Sequence, residues 1–117
     1  MQLEKRTIGD VAIVKVTGRL TLEEIPEAML HETVRALIER GHRKVLVDLA
    51  AVPYVDSAGL GELVRTNSLV KNRGGALKVS GPTHRIREMF VLTRLTKVLG
   101  IYDHESEALD SFGARQA

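Results

Sequence analysis

The sequence predicts an α/β domain with a mixed β-sheet covered by helices. Its 117 residues are enough for one domain with one hydrophobic core. Segments rich in β-branched residues alternate with segments whose apolar residues recur at helical spacing, in the order β-β-α-β-α-β-α-β-α. One of them, residues 44–49, is a compact apolar run, which is typical of a strand buried on both faces. A chain that alternates in this way without a linker buries its apolar surfaces by packing helices on a sheet.

The N-terminal part of the chain contains a hairpin and a helix. Residues 3–8 and 11–16 are strand-like and flank Gly9 and Asp10, a two-residue turn that predicts an antiparallel hairpin ending at residues 17–19. A helix is predicted over residues 26–40, with Pro26 in its first turn and Gly41 after its last residue. Its apolar stripe consists of Leu30, Val34, Leu37 and Ile38.

The rest of the chain continues the alternation of strand and helix. After strand 44–49 and a turn at 51–54, a second helix is expected to begin near Asp56 and Ser57 and to end at residues 72–75. A strand at 76–80, a helix at 83–92, a short strand at 98–102 and a helix at 105–112 complete the domain, and residues 113–117 are expected to fray. The close-packing face of the second helix is predicted to contain Leu60, Leu63, Val64 and Val70 with the small residues Ala58, Gly59 and Gly61.

The composition excludes several kinds of chemistry. Without Cys there is no disulfide framework, thiolate metal site or thiol nucleophile. The four His residues are scattered, so no metal site is predicted, and the usual phosphate-binding and dinucleotide-binding motifs are missing, so no cofactor is predicted either. Aromatic residues make up 3 % and the formal net charge is only +2, so no nucleic-acid partner is expected. The apolar runs are far shorter than the roughly 20 residues of a membrane helix and the N-terminus lacks a signal-peptide core, so a cytoplasmic protein without membrane insertion is expected.

The most informative stretch, residues 52–61, joins the end of the buried strand to the second helix. Ser57 stands at the start of that helix behind Asp56, and the small residues after it leave the backbone N–H groups of the first turn open to approach. A helix N-terminus favours negative charge because its N–H groups are unpaired and its dipole is positive there. A phosphate on Ser57 would therefore be accommodated. The alternative reading of the same residues is that Ser57 or Asp56 simply caps the helix; a serine nucleophile is disfavoured because no His lies nearby in sequence.

The same stretch resembles the signature of STAS domains, the family of the bacterial anti-sigma-factor antagonists. The resemblance covers residues 3–112, so the whole chain is predicted to be one STAS domain. Its most specific part is an Asp-Ser-x-Gly-Leu core between a buried strand and a helix. The matching residues are Val55, Asp56, Ser57, Ala58, Gly59 and Leu60, the strand 45–49, Gly18 to Leu20, Gly74 and Gly75, and Ala108 and Leu109.

The resemblance implies a phosphorylation switch. Ser57 would be phosphorylated by a partner that is both a GHKL-type serine kinase and an anti-sigma factor, and a PP2C-type phosphatase would remove the phosphate. The unphosphorylated chain would bind the kinase, and the phosphorylated chain would release it, because a dianion in an interface brings repulsion and desolvation. On this reading the chain is a substrate and not an enzyme. The partner interface is predicted to comprise Leu20, Thr21, Leu22, Asp56, Ser57, Ala58, Gly59, Leu60 and Gly61.

Two positions depart from the family pattern. Many members carry two acids in a Gly-Glu-Leu-Asp motif, where this chain has Arg19 and Thr21. Thr21 is assigned instead to a capping box with Glu24, three residues later. The altered charge motivates a second hypothesis, an accessory STAS subunit of a signalling assembly or a lipid-transport complex that is not phosphorylated. A third hypothesis is a small-molecule or nucleotide binder that uses the same helix end.

Overall fold

The computed structural model describes residues 1–23 and 29–113, which form a five-stranded sheet and four α-helices in the predicted order. The strands are β1 (Gln2–Ile8), β2 (Val11–Thr17), β3 (Lys44–Ala51), β4 (Ala76–Ser80) and β5 (Gly100–Tyr102). The helices are α1 (Met29–Glu39), α2 (Ser57–Asn72), α3 (His84–Leu92) and α4 (Glu105–Ser111), with a short 3-10 helix at Leu95–Lys97.

The sheet is mixed, as predicted, and its strands lie in the order β1-β2-β3-β4-β5. The first two strands form an antiparallel hairpin across Gly9 and Asp10, and the other pairs are parallel. Parallel strands all end at the same edge of a sheet. The segments that follow β2 and β3 therefore meet, and the Gly18 N–H donates to the Ala51 carbonyl at 3.1 Å.

The two faces of the sheet carry separate apolar clusters. On the face covered by α1, α2 and α3, alternate residues of β2 and β3 pack against the buried stripes of these helices, as the period of two in a strand requires. The other face is covered by α4, whose Ala108 and Phe112 pack on Val11, Ile13 and Leu46. Because β3 is apolar on both faces, it is buried on both, which confirms the reading of residues 44–49.

Two element boundaries differ from the predictions by two residues, and the other described boundaries differ by at most one. Strand β3 continues two residues further, to Ala51. Strand β5 begins at Gly100 and not at residue 98, because the N–H groups of Val98 and Leu99 are bonded to the Leu95 carbonyl at 3.0 and 2.7 Å. Helix α1 is described from Met29, so Pro26 in its first turn lies outside the described residues, as do Glu24 of the expected capping box and residues 114–117.

The buried face of α2 was predicted only in part. Leu63, Val70 and Gly59 are buried as expected, but Ala58, Leu60, Gly61 and Val64 are only half-buried. Steps of three and four residues from Gly59 lead through Leu63, Thr66 and Val70, whereas Gly61 falls off this stripe. The buried side of the helix also carries three polar residues, Glu62, Thr66 and Asn67.

Candidate functional site

Asp56 is the N-cap of α2, and Ser57 is the first residue of the helix. The backbone of Asp56 is extended, with φ −103° and ψ −175°, and its Oδ1 accepts a hydrogen bond from the Gly59 N–H at 2.9 Å. Its Oδ2 accepts from the Leu22 N–H at 3.0 Å. These N–H donors, Leu22 first and Gly59 second, lower the pKa of the Asp56 carboxyl below its ordinary value. Asp56 therefore caps the helix and at the same time binds the loop after β2.

Ser57 is exposed, and its hydroxyl is not needed for capping. Within the described residues no hydrogen bond involves its side chain, because Asp56 already supplies the capping oxygen. The capping alternative thus applies to Asp56, while Ser57 presents a hydroxyl to solvent at the positive end of a helix of 16 residues.

The segment from Gly18 to Leu22, called here the β2 loop, is held tightly against the start of α2. The Leu20 N–H donates to the Tyr54 carbonyl at 3.0 Å, and the Asp56 N–H donates to the Leu20 carbonyl at 3.3 Å, so Leu20 and Val55 form a parallel β-bridge. The Asp56 side chain also accepts a hydrogen bond from Leu22, so the β2 loop is bonded to residues 54–56 at both Leu20 and Leu22. The β2 loop and the first turn of α2 form one rigid surface.

Gly59 permits this close approach. A β-carbon at Gly59 would lie 2.0 Å from the Leu20 carbonyl oxygen and 2.9 Å from Cγ1 of Val55. Any side chain would push the helix away from the β2 loop. The glycine of the Asp-Ser-x-Gly-Leu core is thus explained by packing of the backbone and not by access to the N–H groups.

The predicted interface residues divide into buried and accessible ones. Leu20, Thr21 and Gly59 are buried, so they shape the surface from below. Ser57 and Leu22 are exposed, and Leu22 is 74 % accessible despite its size. The remaining four are half-buried: Asp56, Ala58, Leu60 and Gly61.

Two accessible neighbours were not included in the predicted interface. Tyr54 is 40 % exposed, and the guanidinium carbon of Arg19 lies 5.8 Å from the centre of its ring. Arg19 and Tyr54 are brought together because the β-bridge aligns the β2 loop with residues 54–55. Arg19 and Tyr54 are 35 residues apart, so the sequence did not indicate that they would be in contact, although Arg19 precedes Leu20 and Tyr54 precedes Val55.

Glu62 is the other site residue that the sequence did not reveal. Its side chain is buried on α2, yet Oε2 accepts from the His31 N–H in the first turn of α1 at 3.0 Å. Its Oε1 is paired with the guanidinium of Arg65, which stays exposed. The carboxylate therefore joins α1 to the helix that carries Ser57.

Neither a metal site nor a membrane span is found in residues 1–23 and 29–113. No group of three or more His, Cys, Asp or Glu residues there is arranged to hold a metal ion. None of the helices in that part of the chain combines the length and the hydropathy required to cross a bilayer.

The fold and this site define a STAS domain, and the chain belongs to the STAS domain family, whose model matches residues 2–108. It is 33 % identical over 101 residues to the anti-sigma-B factor antagonist of Staphylococcus epidermidis, covering 86 % of this chain and 92 % of that protein.

Solved structures share the fold. A Thermotoga maritima protein superposes with a TM-score of 0.85 at 24 % identity, covering 97 % of this chain and 95 % of that one. The anti-sigma factor antagonist SpoIIAA superposes in its unphosphorylated form with a TM-score of 0.72 at 14 % identity, covering 97 % of this chain and 100 % of its own. Its phosphorylated form superposes with a TM-score of 0.71 at 15 % identity, covering 95 % of this chain and 99 % of its own. These likenesses show that the five-stranded sheet and its helices have the STAS arrangement.

Proposed function

We propose that this chain is an anti-sigma-factor antagonist that is switched by phosphorylation of Ser57. Unphosphorylated, it binds a GHKL-type serine kinase that is also an anti-sigma factor, and the sigma factor is released. Phosphorylated, it dissociates from the kinase until a PP2C-type phosphatase restores the hydroxyl. The chain acts in the cytoplasm as a substrate and regulator, and the kinase contributes the nucleotide and the catalytic groups.

One observation carries this proposal: the hydroxyl of Ser57 is exposed and unoccupied on an otherwise fixed surface. Asp56 performs the capping, so a phosphate on Ser57 breaks no hydrogen bond of the described residues. The modification adds about −1.5 to −2 charges at the positive end of α2, where charge of this sign is stabilised. The fold is thereby preserved while the surface presented to a partner changes completely.

The change in affinity follows from the position of Ser57 within that surface. Ser57 and the half-buried residues behind it form a smooth first turn, with Leu22 projecting from the β2 loop beside it. A partner that packs closely on this turn must desolvate the phosphate and accept its charge. Binding and phosphorylation are therefore mutually exclusive unless the partner supplies matching cations.

The test is a binding series with purified kinase, using wild type, Ser57→Ala and Ser57→Asp. We expect Ser57→Ala to bind like wild type and to remain bound in the presence of ATP. The affinity of Ser57→Asp for the kinase should be lower by about tenfold or more. Ser68→Asp is the matched control, because Ser68 is exposed on the same helix but about three turns from Ser57. Equal affinity of all four proteins would overturn the proposal.

The accessory-subunit hypothesis is supported by Arg19 and Thr21, which stand where many members of the family carry acids. Mass spectrometry after incubation with the kinase and ATP separates the two functions. Stoichiometric phosphate on Ser57 supports the switch. Stable binding without any modification of Ser57 supports an accessory subunit instead.

A further inference from the structure

We infer that Arg19, supported by Tyr54, selects a partner that places an acidic side chain next to an apolar pocket for Leu22. This inference rests on the proposed function, because it specifies the chemistry of the partner surface that meets the β2 loop. It adds Arg19 and Tyr54 to the proposed interface. Their role is to determine which partner binds, whereas Ser57 determines the response to phosphorylation.

The backbone holds Arg19 in a fixed place. The residues on either side are anchored, since the Gly18 N–H donates to Ala51 and the Leu20 N–H donates to Tyr54 at 3.1 and 3.0 Å. Gly18 has φ +102°, a conformation that glycine adopts without strain, and this turn directs the chain from β2 across the end of β3. The side chain of Arg19 therefore starts from a rigid position, which reduces the entropy lost when it binds a partner.

The positive charge of Arg19 is uncompensated in the described structure. Arg19 is exposed, and in residues 1–23 and 29–113 its side chain lies over the ring of Tyr54 and forms no ion pair. The carboxylate oxygens of Asp56 accept the N–H groups of Gly59 and Leu22, and no ion pair joins Asp56 to Arg19 in the described residues. Arg65 of α2, by contrast, is paired with Glu62. Among the residues that the structure describes, Arg19 therefore has no anionic partner, and we take its charge to be available to an anion on another molecule.

The acidic residue Glu23 adjoins this surface but does not cancel the charge. It is exposed and follows Leu22, and within residues 1–23 and 29–113 it forms no ion pair with Arg19. A carboxylate from a partner can form two parallel hydrogen bonds with a guanidinium, which gives such a pair directional specificity. An acidic side chain is accordingly the complement that Arg19 requires.

The apolar part of the surface fits the same kind of partner. Leu22 and Tyr54 are two of the five large apolar side chains exposed in the described residues, and both flank the start of α2. The backbone N–H of Leu22 is fixed by Asp56, and its side chain is exposed. The side chain of Leu22 therefore projects into solvent from a fixed position. Arg and Tyr are among the residue types enriched at interface centres, and here they stand beside the exposed Leu22.

The experiment uses the kinase that binds the wild-type chain in the series above, with Arg19→Gln, Arg19→Glu and Leu22→Ser as variants. We expect Arg19→Gln to weaken binding about fivefold and Arg19→Glu at least about tenfold. The affinity of the wild-type chain should fall as the salt concentration is raised, and the affinity of Arg19→Gln should fall less. Arg73→Glu is the matched control, because Arg73 is exposed at the opposite end of α2. Circular dichroism of each variant checks that the fold is retained.

A charge exchange identifies the acidic residue of the partner. Replacing that residue by Lys in the kinase should weaken binding to wild type and restore binding to Arg19→Glu. If Ser57→Asp loses affinity while Arg19→Glu and Arg73→Glu both bind like wild type, this inference is wrong and the proposed function stands. If the wild-type chain does not bind the kinase at all, the proposed function fails and this inference fails with it.

Discussion

The backbone carbonyl oxygen of Leu20 lies 2.0 Å from the point where a β-carbon on Gly59 would be. The helix that carries Ser57 is therefore in direct backbone contact with the β2 loop. The Asp56 carboxylate reinforces the contact by accepting one N–H group from each side, Gly59 on the helix and Leu22 in the loop. This arrangement makes the surface proposed for partner binding a fixed part of the fold, although it consists of a loop and a single helical turn.

The first prediction concerns the two glycines of the α2 first turns. Gly59→Ala should destabilise the protein by about 3 kcal/mol, because the new methyl group would overlap the Leu20 carbonyl and Cγ1 of Val55. Gly61→Ala should be neutral or stabilise by up to about 1 kcal/mol, since its nearest neighbour would be Nη1 of Arg65 at 3.7 Å and alanine favours helices. Urea denaturation measures both, and equal stabilities of the two variants would contradict the packing described here.

These two glycines also show how far the sequence could predict the structure. Both stand in the same motif, and the sequence assigned both to one packing face, but in the structure Gly59 lies against the Leu20 carbonyl and Gly61 lies off the buried stripe of α2. Residues with local signals were predicted well: the apolar run of β3 and the Asp56 cap both depend on neighbours in sequence. Glu62 was missed because its partner, the His31 N–H, is 31 residues away and helical glutamates usually face solvent.

The second prediction is a pH dependence that arises from Asp56. The N–H donors of Leu22 and Gly59 lower the pKa of its carboxyl from the ordinary value of 3.8, so its charged form is favoured in the folded state. A lowered pKa contributes stability above the unfolded value, and this contribution is lost as the pH falls from about 4 through the folded pKa. Asp56→Asn should therefore be less stable than wild type at pH 7, and the difference should shrink below about pH 4.

Denaturant midpoints of both proteins between pH 7 and pH 2.5 provide the measurement. The pKa of Asp10 is lowered as well, chiefly by its hydrogen bond with Lys44, but this contribution is present in both proteins and cancels in the comparison. Asp10→Asn serves as a control that leaves the cap intact. A difference between wild type and Asp56→Asn that stays constant down to pH 2.5 would show that the charge of Asp56 has no part in the capping.

The third prediction concerns the buried link between α1 and α2. Glu62→Ala should lose about 3 kcal/mol of stability, because it leaves the partly buried His31 N–H without its acceptor and opens a cavity where the fully buried Glu62 side chain was. Glu62→Gln keeps an acceptor oxygen and should lose only about 1 kcal/mol. Hydrogen exchange of the His31 amide should accelerate in Glu62→Ala. The control is Glu39→Gln, at the exposed end of α1, whose free energy of unfolding should remain within about 0.5 kcal/mol of wild type. If Glu62→Ala loses no more stability than this control, the link between α1 and α2 does not have the structural role described.

The fourth prediction separates the effects of a negative charge at Ser57 on stability and on binding. Helix α2 has no acidic residue in its first turn, and Ser57 is its exposed first residue. Ser57→Asp should therefore stabilise the protein by about 0.3–1 kcal/mol through the helix dipole, although under the proposed function it should weaken binding to the kinase. Asn72→Asp, at the exposed last residue of the same helix, should destabilise by a similar amount. Both effects should shrink in 1 M salt, because they act through solvent-exposed charge. A decrease in stability of Ser57→Asp at low salt would mean that the start of α2 does not tolerate negative charge, and the phosphorylated state would then have to rearrange this turn.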